Sequence, residues 1–575
     1  QGAAARSVGV WRERLSAWQK RWGYLSPENQ IREKRQRLLD LENRLQEGNY
    51  LGALTLLNKR NKMYAPSADA QALAADIYEA LELWPLAADA WFRFLDTCNE
   101  ADFGEGYEGL AVAFMNMGND MQSALYYHRA FAEDGQLSPE GVAELGGLFR
   151  RAVAPRLRIV PDEGAPEPEL LSEGLALLKA GELDKARKAF GEIPSESSDY
   201  PSAAGLAAMC TLMSGDEEGA QKECEDLLAG HPDNIQALTT YCAVLGARGN
   251  KEGAKKVAEK LASVPADSTD DLYRIATALC ETGLDEPACE KLTVLKERLP
   301  LDENILWFHA VAAYRTGRLD EAIASLETLT TVWPRKAVAD YYLERMRRLR
   351  DGEEEAFAMT YYYRVPEDEY ETVAGFLLAA ASVGEREMRR IGELPQLDTF
   401  FRIAFDEMEG RDEKLQALAV RVAVPARADA FLREVLLDCT LEEYAKINIL
   451  HELTMRNEED SFGVVVCNVY KEFFTHKIEI GPKKADAFLK AFADVYSKFA
   501  LLNDENEGKI CAAAEDVYAS LDEAGALDYC DERASLAAAI YRESRLKGGE
   551  RSLKEIVALF DANQYTTQCI LDYMM

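Results

Sequence analysis

The residues that could do chemistry in this 575-residue chain are few and widely spaced. Its histidines are His128, His231, His309, His451 and His476. The stretch HELTM begins at His451 like the helix of a zinc protease, but Met455 stands where that helix needs its second histidine. His309 lies on the packing face of a predicted helix, so we interpret it as a core histidine with satisfied hydrogen bonds. The histidines therefore predict no metal site.

Other catalytic motifs are equally weak. The stretch GEGYEG, residues 104–109, matches the Gly-x-Gly-x-x-Gly pattern of dinucleotide-binding loops. No strand is predicted before it and it falls at a helix boundary, so we interpret the match as chance. The sequence contains no Gly-Lys-Ser/Thr phosphate loop, no Gly-x-Ser-x-Gly elbow and no Cys-x-x-Cys pair. We therefore expect no enzyme, no cofactor and no metal.

The charge balance excludes two classes of partner. The chain has 66 Lys and Arg against 100 Asp and Glu, a formal net charge of −34. Such a field repels nucleic acid and anionic lipid, so we expect neither a nucleic-acid nor a membrane partner. The first forty residues differ because basic residues outnumber acidic ones there. We interpret residues 1–40 as a solvated, partly helical basic leader, and a docking function is the alternative.

Several features favour a cytoplasmic protein. Arg12, Arg14 and Lys20 lie where a secretion signal would need an apolar core. No apolar run approaches the length that spans a membrane. The eleven cysteines are scattered rather than paired in short spacings, which is typical of reduced, buried thiols.

A glycine followed five residues later by an alanine recurs every 34 residues along the chain. The pairs are Gly181–Ala186, Gly215–Ala220, Gly249–Ala254, Gly283–Ala288 and Gly317–Ala322. A small residue also precedes each alanine by twelve positions: Gly174, Ala208, Cys242, Ala276 and Ala310. Five units in one register indicate a helical hairpin that repeats and stacks on its neighbours.

The residue types at each position explain the hairpin. The small residues lie on facing helices, where a larger side chain would force the backbones apart. Glycine occupies the turn because a positive φ is cheap for it alone. Asp216 and Asn250 follow that glycine as helix caps, and prolines such as Pro232 and Pro300 follow the second helix.

These units, from Glu167 to Pro334, resemble tetratricopeptide repeats. Weaker copies of the repeat precede these units. Gly48 pairs with Ala53, Ala87 lies 34 residues beyond Ala53, and Gly118 pairs with Ala124 at a spacing that is one residue longer. We predict an all-α fold, a right-handed α-solenoid of tetratricopeptide-type helical hairpins with a more irregular helical C-terminal half. The predicted domains are the leader 1–40, degenerate repeats 41–152, a Pro-rich acidic linker 153–168, five in-register units with a capping helix 169–352, and an irregular helical domain 353–575.

One segment of the last domain breaks the helical pattern. Residues 462–480, FGVVVCNVYKEFFTHKIEI, are rich in β-branched and aromatic residues. A small β-hairpin and a buried helix both fit this composition.

The resemblance implies that the first helix of each unit lines a concave groove that binds another protein, a peptide or helical segment. The partner-binding residues it implies are Asn304, Trp307, Val311, Tyr314, Arg315, Tyr273, Thr277, Gln236 and Thr239. Earlier units place apolar residues there: Met209, Leu212, Met213, Leu175 and Leu178. The alternative is that Trp307 and Tyr314 pack against the following helices.

We therefore expect a non-enzymatic interaction scaffold or adaptor that binds a partner in the groove of the solenoid. The alternative function is a regulatory or sensor protein with a ligand pocket, or an activity of unrecognised type, in the C-terminal half. The sequence does not identify the partner or the oligomeric state.

Overall fold

The computed structural model describes residues 40–41, 43–63, 67–134, 170–406, 413–502, 506–544 and 551–574. They fall into two compact units, which we describe separately. Unit 1 comprises Gln1–Ala154 and Glu367–Met575, and unit 2 comprises Pro155–Pro366. The predicted linker and all but the last residue of the predicted leader lie outside the described residues. The predicted domain boundaries, which follow chain order, stay a prediction.

Unit 2 is built of consecutive helical hairpins. Its helices are α6 (Leu170–Lys179), α7 (Leu183–Gly191), α8 (Tyr200–Met213), α9 (Glu217–Gly230), α10 (Ile235–Ala247), α11 (Lys251–Ala262), α12 (Thr269–Glu281), α13 (Asp285–Arg298), α14 (Glu303–Arg315), α15 (Leu319–Val332) and α16 (Ala337–Arg350). The all-α helical-repeat fold predicted from the 34-residue period is confirmed.

The turn and the seam of each hairpin follow the predicted pattern. The repeat glycines have left-handed φ values between 71° and 88°. The alanine five residues later is at most 4% exposed in every unit. A Cβ added at Gly174 would meet the ring of Phe190 on the facing helix. Small residues therefore let the two helices of a hairpin approach closely.

The predicted caps also form. The Asp216 carboxylate accepts a hydrogen bond of 2.9 Å from the Gly219 amide, and the Asn250 side chain accepts one of 3.0 Å from Gly253. Each bond satisfies an amide that the first turn of a helix leaves without a partner.

Unit 1 begins with hairpins of the same kind. The helices are α1 (Tyr50–Met63), α2 (Ala68–Ala80), α3 (Trp84–Thr97), α4 (Phe103–Asn116) and α5 (Asp120–Asp134). The expected match of Gly118 with Ala124 is wrong by one residue. Ser123 occupies the fully buried position, and its hydroxyl donates a 2.8 Å hydrogen bond to the carbonyl of Ala111, twelve residues earlier. A serine can replace the alanine because this hydrogen bond satisfies its hydroxyl.

The C-terminal part of unit 1 is mostly helical. Its helices are α17 (Glu367–Ala380), α18 (Glu385–Gly392), α19 (Gln396–Asp406), α20 (Glu413–Ala423), α21 (Asp429–Leu436), α22 (Glu443–Met455), α23 (Ala485–Phe499), α24 (Asn506–Glu523), α25 (Arg533–Ser544), α26 (Leu553–Leu559) and α27 (Gln564–Asp572). Of the two alternatives for 462–480, the structure has the hairpin: β1 (Asp460–Val466) pairs antiparallel with β2 (Val469–Thr475). Among the described helices, none is long and apolar enough to span a membrane.

The tip of this β-hairpin packs against the N-terminal helices of unit 1. The Tyr126 hydroxyl on α5 donates a 2.6 Å hydrogen bond to the carbonyl of Asn468 and accepts one of 3.4 Å from the Tyr470 amide. From the other side, Lys446 on α22 is 1% exposed and donates a 2.6 Å hydrogen bond to the carbonyl of Val465. Burial lowers the pKa of this lysine. The hairpin therefore joins the two chain segments that form unit 1.

Glu82 offers a test of the turn geometry. It has φ +58° at the position where the other hairpins place glycine. A side chain with a Cβ in this conformation costs about 1 kcal/mol, so we expect Glu82→Gly to raise the free energy of unfolding by about 0.5–1 kcal/mol. Urea denaturation of the full chain measures the change.

Gly118→Ala, at the equivalent turn of the next hairpin, is the matched control for Glu82→Gly. Gly118 has φ +74°, so the added Cβ is expected to destabilise the chain by about 1 kcal/mol. A Glu82→Gly variant no more stable than the unaltered chain would contradict the strain that we assign to Glu82.

Candidate peptide-binding groove

The first helices of successive hairpins in unit 2 form one surface, which we call the groove face: α8, α10, α12, α14 and α16. Five of the nine predicted partner-binding residues lie on α14. The chain leaves α16 through Gly352, whose φ is +77°, and returns over the groove face as residues 353–366. These residues form neither helix nor strand. We call them the strap.

Main-chain groups of the strap pair with side chains of the helices. The indole Nε1 of Trp307 donates a 2.9 Å hydrogen bond to the carbonyl of Tyr361. The Tyr314 hydroxyl donates one of 2.8 Å to the carbonyl of Phe357 and accepts one of 2.9 Å from the amide of the same residue. The Tyr342 hydroxyl on α16 donates one of 3.2 Å to the carbonyl of Arg364. An extended chain needs such partners because it has no neighbouring strand.

Aromatic side chains of the strap pack between those of the helices. The Phe357 ring stacks on Tyr314 at 4.8 Å between centroids and 19° between planes. The Tyr363 ring meets Trp307 edge-on at 4.7 Å, and Tyr361 meets Phe308 at 6.2 Å. Such ring pairs add to the apolar area that the strap buries.

Charged groups hold the strap at two points. At one end, Glu354 pairs with Arg345 and, at 2.6 Å, with Arg348. Burial opposes ionisation of Glu354, but hydrogen bonds from the two guanidinium groups lower the pKa of its carboxyl. Further along, the Tyr361 hydroxyl donates a 2.8 Å hydrogen bond to Asp285, which also pairs with Arg315 at 3.1 Å.

Burial raises the pKa of the Tyr361 hydroxyl, and the Asp285 carboxylate raises it further. Tyr361 therefore stays protonated and acts as the hydrogen-bond donor to Asp285. The Arg315 guanidinium lies 5.3 Å from the centre of the Tyr361 ring, close enough for a cation–π contact. The three groups form one network beneath the strap.

An open cleft of about 1260 Å³ lies beside this network. It is bordered by strap residues Ala356–Thr360 and by the end of α14 and the start of α15, including Arg315 and Arg318. The strap therefore bridges this part of unit 2 rather than filling it.

The structure brings three predicted residues, Trp307, Tyr314 and Arg315, into contact with the strap. Trp307 is 3% exposed and also meets Tyr342 on α16 at 5.7 Å, so it packs against a following helix, as the alternative interpretation expected. Val311 is fully buried. Whether these residues also bind another protein stays a prediction.

The other predicted residues lie outside the strap's contacts described above. Asn304 is half-buried at the start of α14, and the Tyr273 ring on α12 meets Phe308 at 6.5 Å. The hydroxyls of Thr239 and Thr277 bond to carbonyls of their own helices at 3.0 Å. The Gln236 amide accepts a hydrogen bond from Arg274 and donates one of 3.2 Å to Thr240, which holds it in one orientation.

Sequence reasoning missed the strap residues Glu354, Phe357, Tyr361 and Tyr363. The available signal was the stretch AFAMTYYYRVP, which is dense in aromatic residues, has no helical period and ends in proline. Such a run favours an extended segment held by its side chains, but it does not indicate where that segment lies.

The motifs with possible catalytic chemistry have structural roles. GEGYEG lies wholly within α4, and a Cβ added at Gly109 would meet the indole of Trp91 on α3. His451 contacts Asp494, which forms a two-bond ion pair with Arg533. Among the described residues, no three His, Cys, Asp or Glu side chains are grouped as a metal site.

His309 is fully buried, as predicted for a core histidine. Its Nδ1 lies 2.9 Å from the Ser325 hydroxyl, and its Nε2 lies 3.4 Å from that of Thr293. The Lys296 amine lies 3.3 Å from both ring nitrogens. Burial, followed by the charges of Lys296 and Arg318, lowers the pKa of His309 to about 4.

Comparisons with known proteins identify no family for the chain. No protein-family model matches the chain, and no curated protein matches it. Among solved structures, it is similar to a chain of "Structure of Naa15/Naa10 bound to HypK-THB", with 13% identity, a TM-score of 0.17 and 99% of each chain covered. At that TM-score the similarity carries no argument about the groove.

The depressed pKa of His309 predicts a specific acid sensitivity. Since its pKa is about 4 folded and 6.5 in an exposed histidine, the unfolded chain binds the extra proton between these pH values. The stability that neutral His309 provides is present above pH 6.5 and is lost as the pH falls towards 4. We expect this to amount to about 2–3 kcal/mol. Urea unfolding across this pH range measures it.

His309→Gln, which keeps polar groups but does not titrate in this range, is the control for the acid sensitivity. The difference in unfolding free energy between the two chains should shrink as the pH falls from 7 to 4. A constant difference would show that His309 does not titrate as described.

The Tyr314 hydroxyl predicts a local effect on strap docking. Tyr314→Phe keeps the ring that stacks on Phe357 but removes both hydrogen bonds to its main chain. The Phe357 amide should then exchange with solvent about tenfold faster, as expected for a loss of about 1.4 kcal/mol. Amide hydrogen exchange followed by mass spectrometry measures this at the strap.

Tyr241→Phe is the matched control because it removes a 2.8 Å hydrogen bond to Glu225 elsewhere in unit 2. It should leave exchange at the strap unchanged. Equal exchange in Tyr314→Phe and the unaltered chain would mean that the hydroxyl does not hold the strap.

Proposed function

We propose that this chain is a cytoplasmic, non-enzymatic interaction scaffold of the tetratricopeptide type. In this proposal, unit 2 binds an extended segment of another protein on the part of the groove face formed by α8, α10 and α12. The negative charge of the chain favours a protein over a nucleic acid as the partner.

The strap is the observation that supports this function most directly. On α14 and α16, side chains of the groove face bond to the main chain of an extended segment and pack on its rings. Main-chain recognition of this kind tolerates many sequences, and aromatic contacts supply specificity. The same face continues onto α12, where Tyr273 contacts Phe308.

The open part of the face has suitable chemistry for such a segment. Gln236 is held in position by Arg274 and Thr240, so the second acceptor position of its amide oxygen is pre-ordered for a partner's main-chain amide. Met213, at the end of α8, is 59% exposed, which provides apolar area. The flexible thioether of Met213 adapts to different side chains.

Site-specific photo-crosslinking tests the proposal. Benzoylphenylalanine replaces Thr239 on α10, and in a separate variant it replaces Glu259, an exposed residue on the second helix α11. In the source cell, irradiation should join the Thr239 variant to a discrete protein through one extended segment. The Glu259 variant should not form this product.

The pair Gln236→Ala and Arg274→Ala, added to the Thr239 probe, should reduce the crosslinked product about tenfold, which corresponds to about 1.4 kcal/mol of binding. Equal products from the Thr239 and Glu259 probes, or a yield unaffected by the double alanine change, would argue against this groove.

A further inference from the structure

We infer that the strap is an internal stand-in for a partner segment and that the surface on α14 and α16 accepts an extended segment of another protein in its place. The incoming segment would carry a carboxylate, an aromatic residue three positions later and a tyrosine four positions after that. This inference rests on the proposed function, because both use the groove face, but it concerns a different section of that face.

The three side-chain positions follow from the strap's own contacts. The carboxylate position is occupied by Glu354, between the guanidinium groups of Arg345 and Arg348. The aromatic position is occupied by Phe357, with Tyr314 stacked at 4.8 Å and Arg345 at 4.1 Å from the ring centre. A cation over an aromatic face and a charge-assisted pair both favour this combination.

The tyrosine position is selective for a hydroxyl. The Tyr361 hydroxyl donates to Asp285, which also pairs with Arg315. A phenylalanine here would leave the half-buried Asp285 carboxylate without this donor, so a segment with phenylalanine should bind about tenfold more weakly. Between the aromatic and tyrosine positions, Met359 is 4% exposed, so an incoming segment needs an apolar side chain there as well.

The strap can exchange without disturbing the hairpins. It forms no helix or strand, and Tyr362 in its middle is 57% exposed. The open cleft of about 1260 Å³ beside Ala356–Thr360 gives an incoming segment access before the strap has left. Gly352 and Pro366 bound the strap, so its release does not require any described helix to unwind.

Covalent attachment makes the strap a strong competitor. A tethered segment has an effective concentration of about 1 mM. If the strap binds with an intrinsic Kd of about 10 μM, the surface is vacant about 1% of the time, and a competing segment binds about 100-fold more weakly than its intrinsic affinity. Segments with low intrinsic affinity for this surface therefore do not displace the strap.

A peptide with the strap's own sequence, EEEAFAMTYYYRVP (residues 353–366), provides the probe. It carries a fluorescent label, and its binding to the full chain is followed by fluorescence anisotropy. The Phe357→Ser and Tyr361→Ser double variant weakens the internal strap. We expect this variant to bind the peptide about 30- to 100-fold more tightly than the unaltered chain does.

A double-mutant cycle tests the carboxylate position. In the strap-weakened background, Arg348→Gln should weaken binding of the strap peptide about tenfold, because Arg348 bonds to the Glu354 carboxylate. A peptide with Glu354→Gln should already bind more weakly, and Arg348→Gln should then have little further effect. Independent, additive effects would overturn the assigned contact.

Two outcomes would overturn the inference: no peptide binding to the strap-weakened chain, or equal binding to both chains. Circular dichroism first shows that the variant is folded. If the double serine change prevents folding, Glu354→Gln with Tyr361→Phe removes one carboxylate and one hydroxyl instead, and a gain of at least fivefold in peptide affinity is expected. Crosslinking from Thr239 does not involve the strap, so failure of this inference is distinguishable from failure of the proposed function.

Discussion

Where an extended segment or the tip of a β-hairpin lies against helices, some of its amides and carbonyls have no strand partner, and the need to satisfy them constrains its position in both units. In unit 2, the Tyr314 hydroxyl serves the carbonyl and the amide of Phe357. In unit 1, the Tyr126 hydroxyl serves the carbonyl of Asn468 and the amide of Tyr470 at the tip of the β-hairpin. A phenol both donates and accepts, and its ring adds apolar area, so it suits this role. Leaving either main-chain group buried without a partner would cost about 1–3 kcal/mol.

The helical hairpins give these tyrosines a rigid frame. Ala310 and Ala322, on α14 and α15, are fully buried and lie at the small-residue seam of the hairpin that carries Tyr314. A larger residue at either position would separate the helices, and close-packed interiors absorb such changes poorly. The seam therefore fixes the direction in which α14 presents Trp307 and Tyr314. The 34-residue period is thus architectural, and the residues between the seam positions carry the recognition chemistry.

The sequence was sufficient for the hairpins because their determinants are local and repeat. The turn glycine, the seam residues and the caps recur in register, and five units support one another. It was not sufficient for the strap. The contacts of the strap with Trp307 and Asp285 join residues 54 and 76 positions apart in the chain, and no sequence repeat marks them. The docking of the β-hairpin, 342 residues from Tyr126, is equally non-local. A local substitution also obscured part of the repeat pattern. Ser123 stands where other units have alanine, because a hydrogen bond within the helical hairpin satisfies its hydroxyl.

The direction of the strap determines which partner segments could bind beside it on the groove face and which would have to displace it. Glu354 contacts Arg345 and Arg348 near the end of α16, whereas Tyr363 lies by Lys336 before its start, so the strap runs opposite to α16. The nine steps from Glu354 to Tyr363 reach about 30 Å when extended, and the 14-residue helix is about 21 Å long. The strap therefore follows the helices instead of crossing them. A segment that lies along α10 and α12 would bind beside the strap. One that crosses from α12 to α14 would meet Tyr361 against Phe308 and would have to displace it.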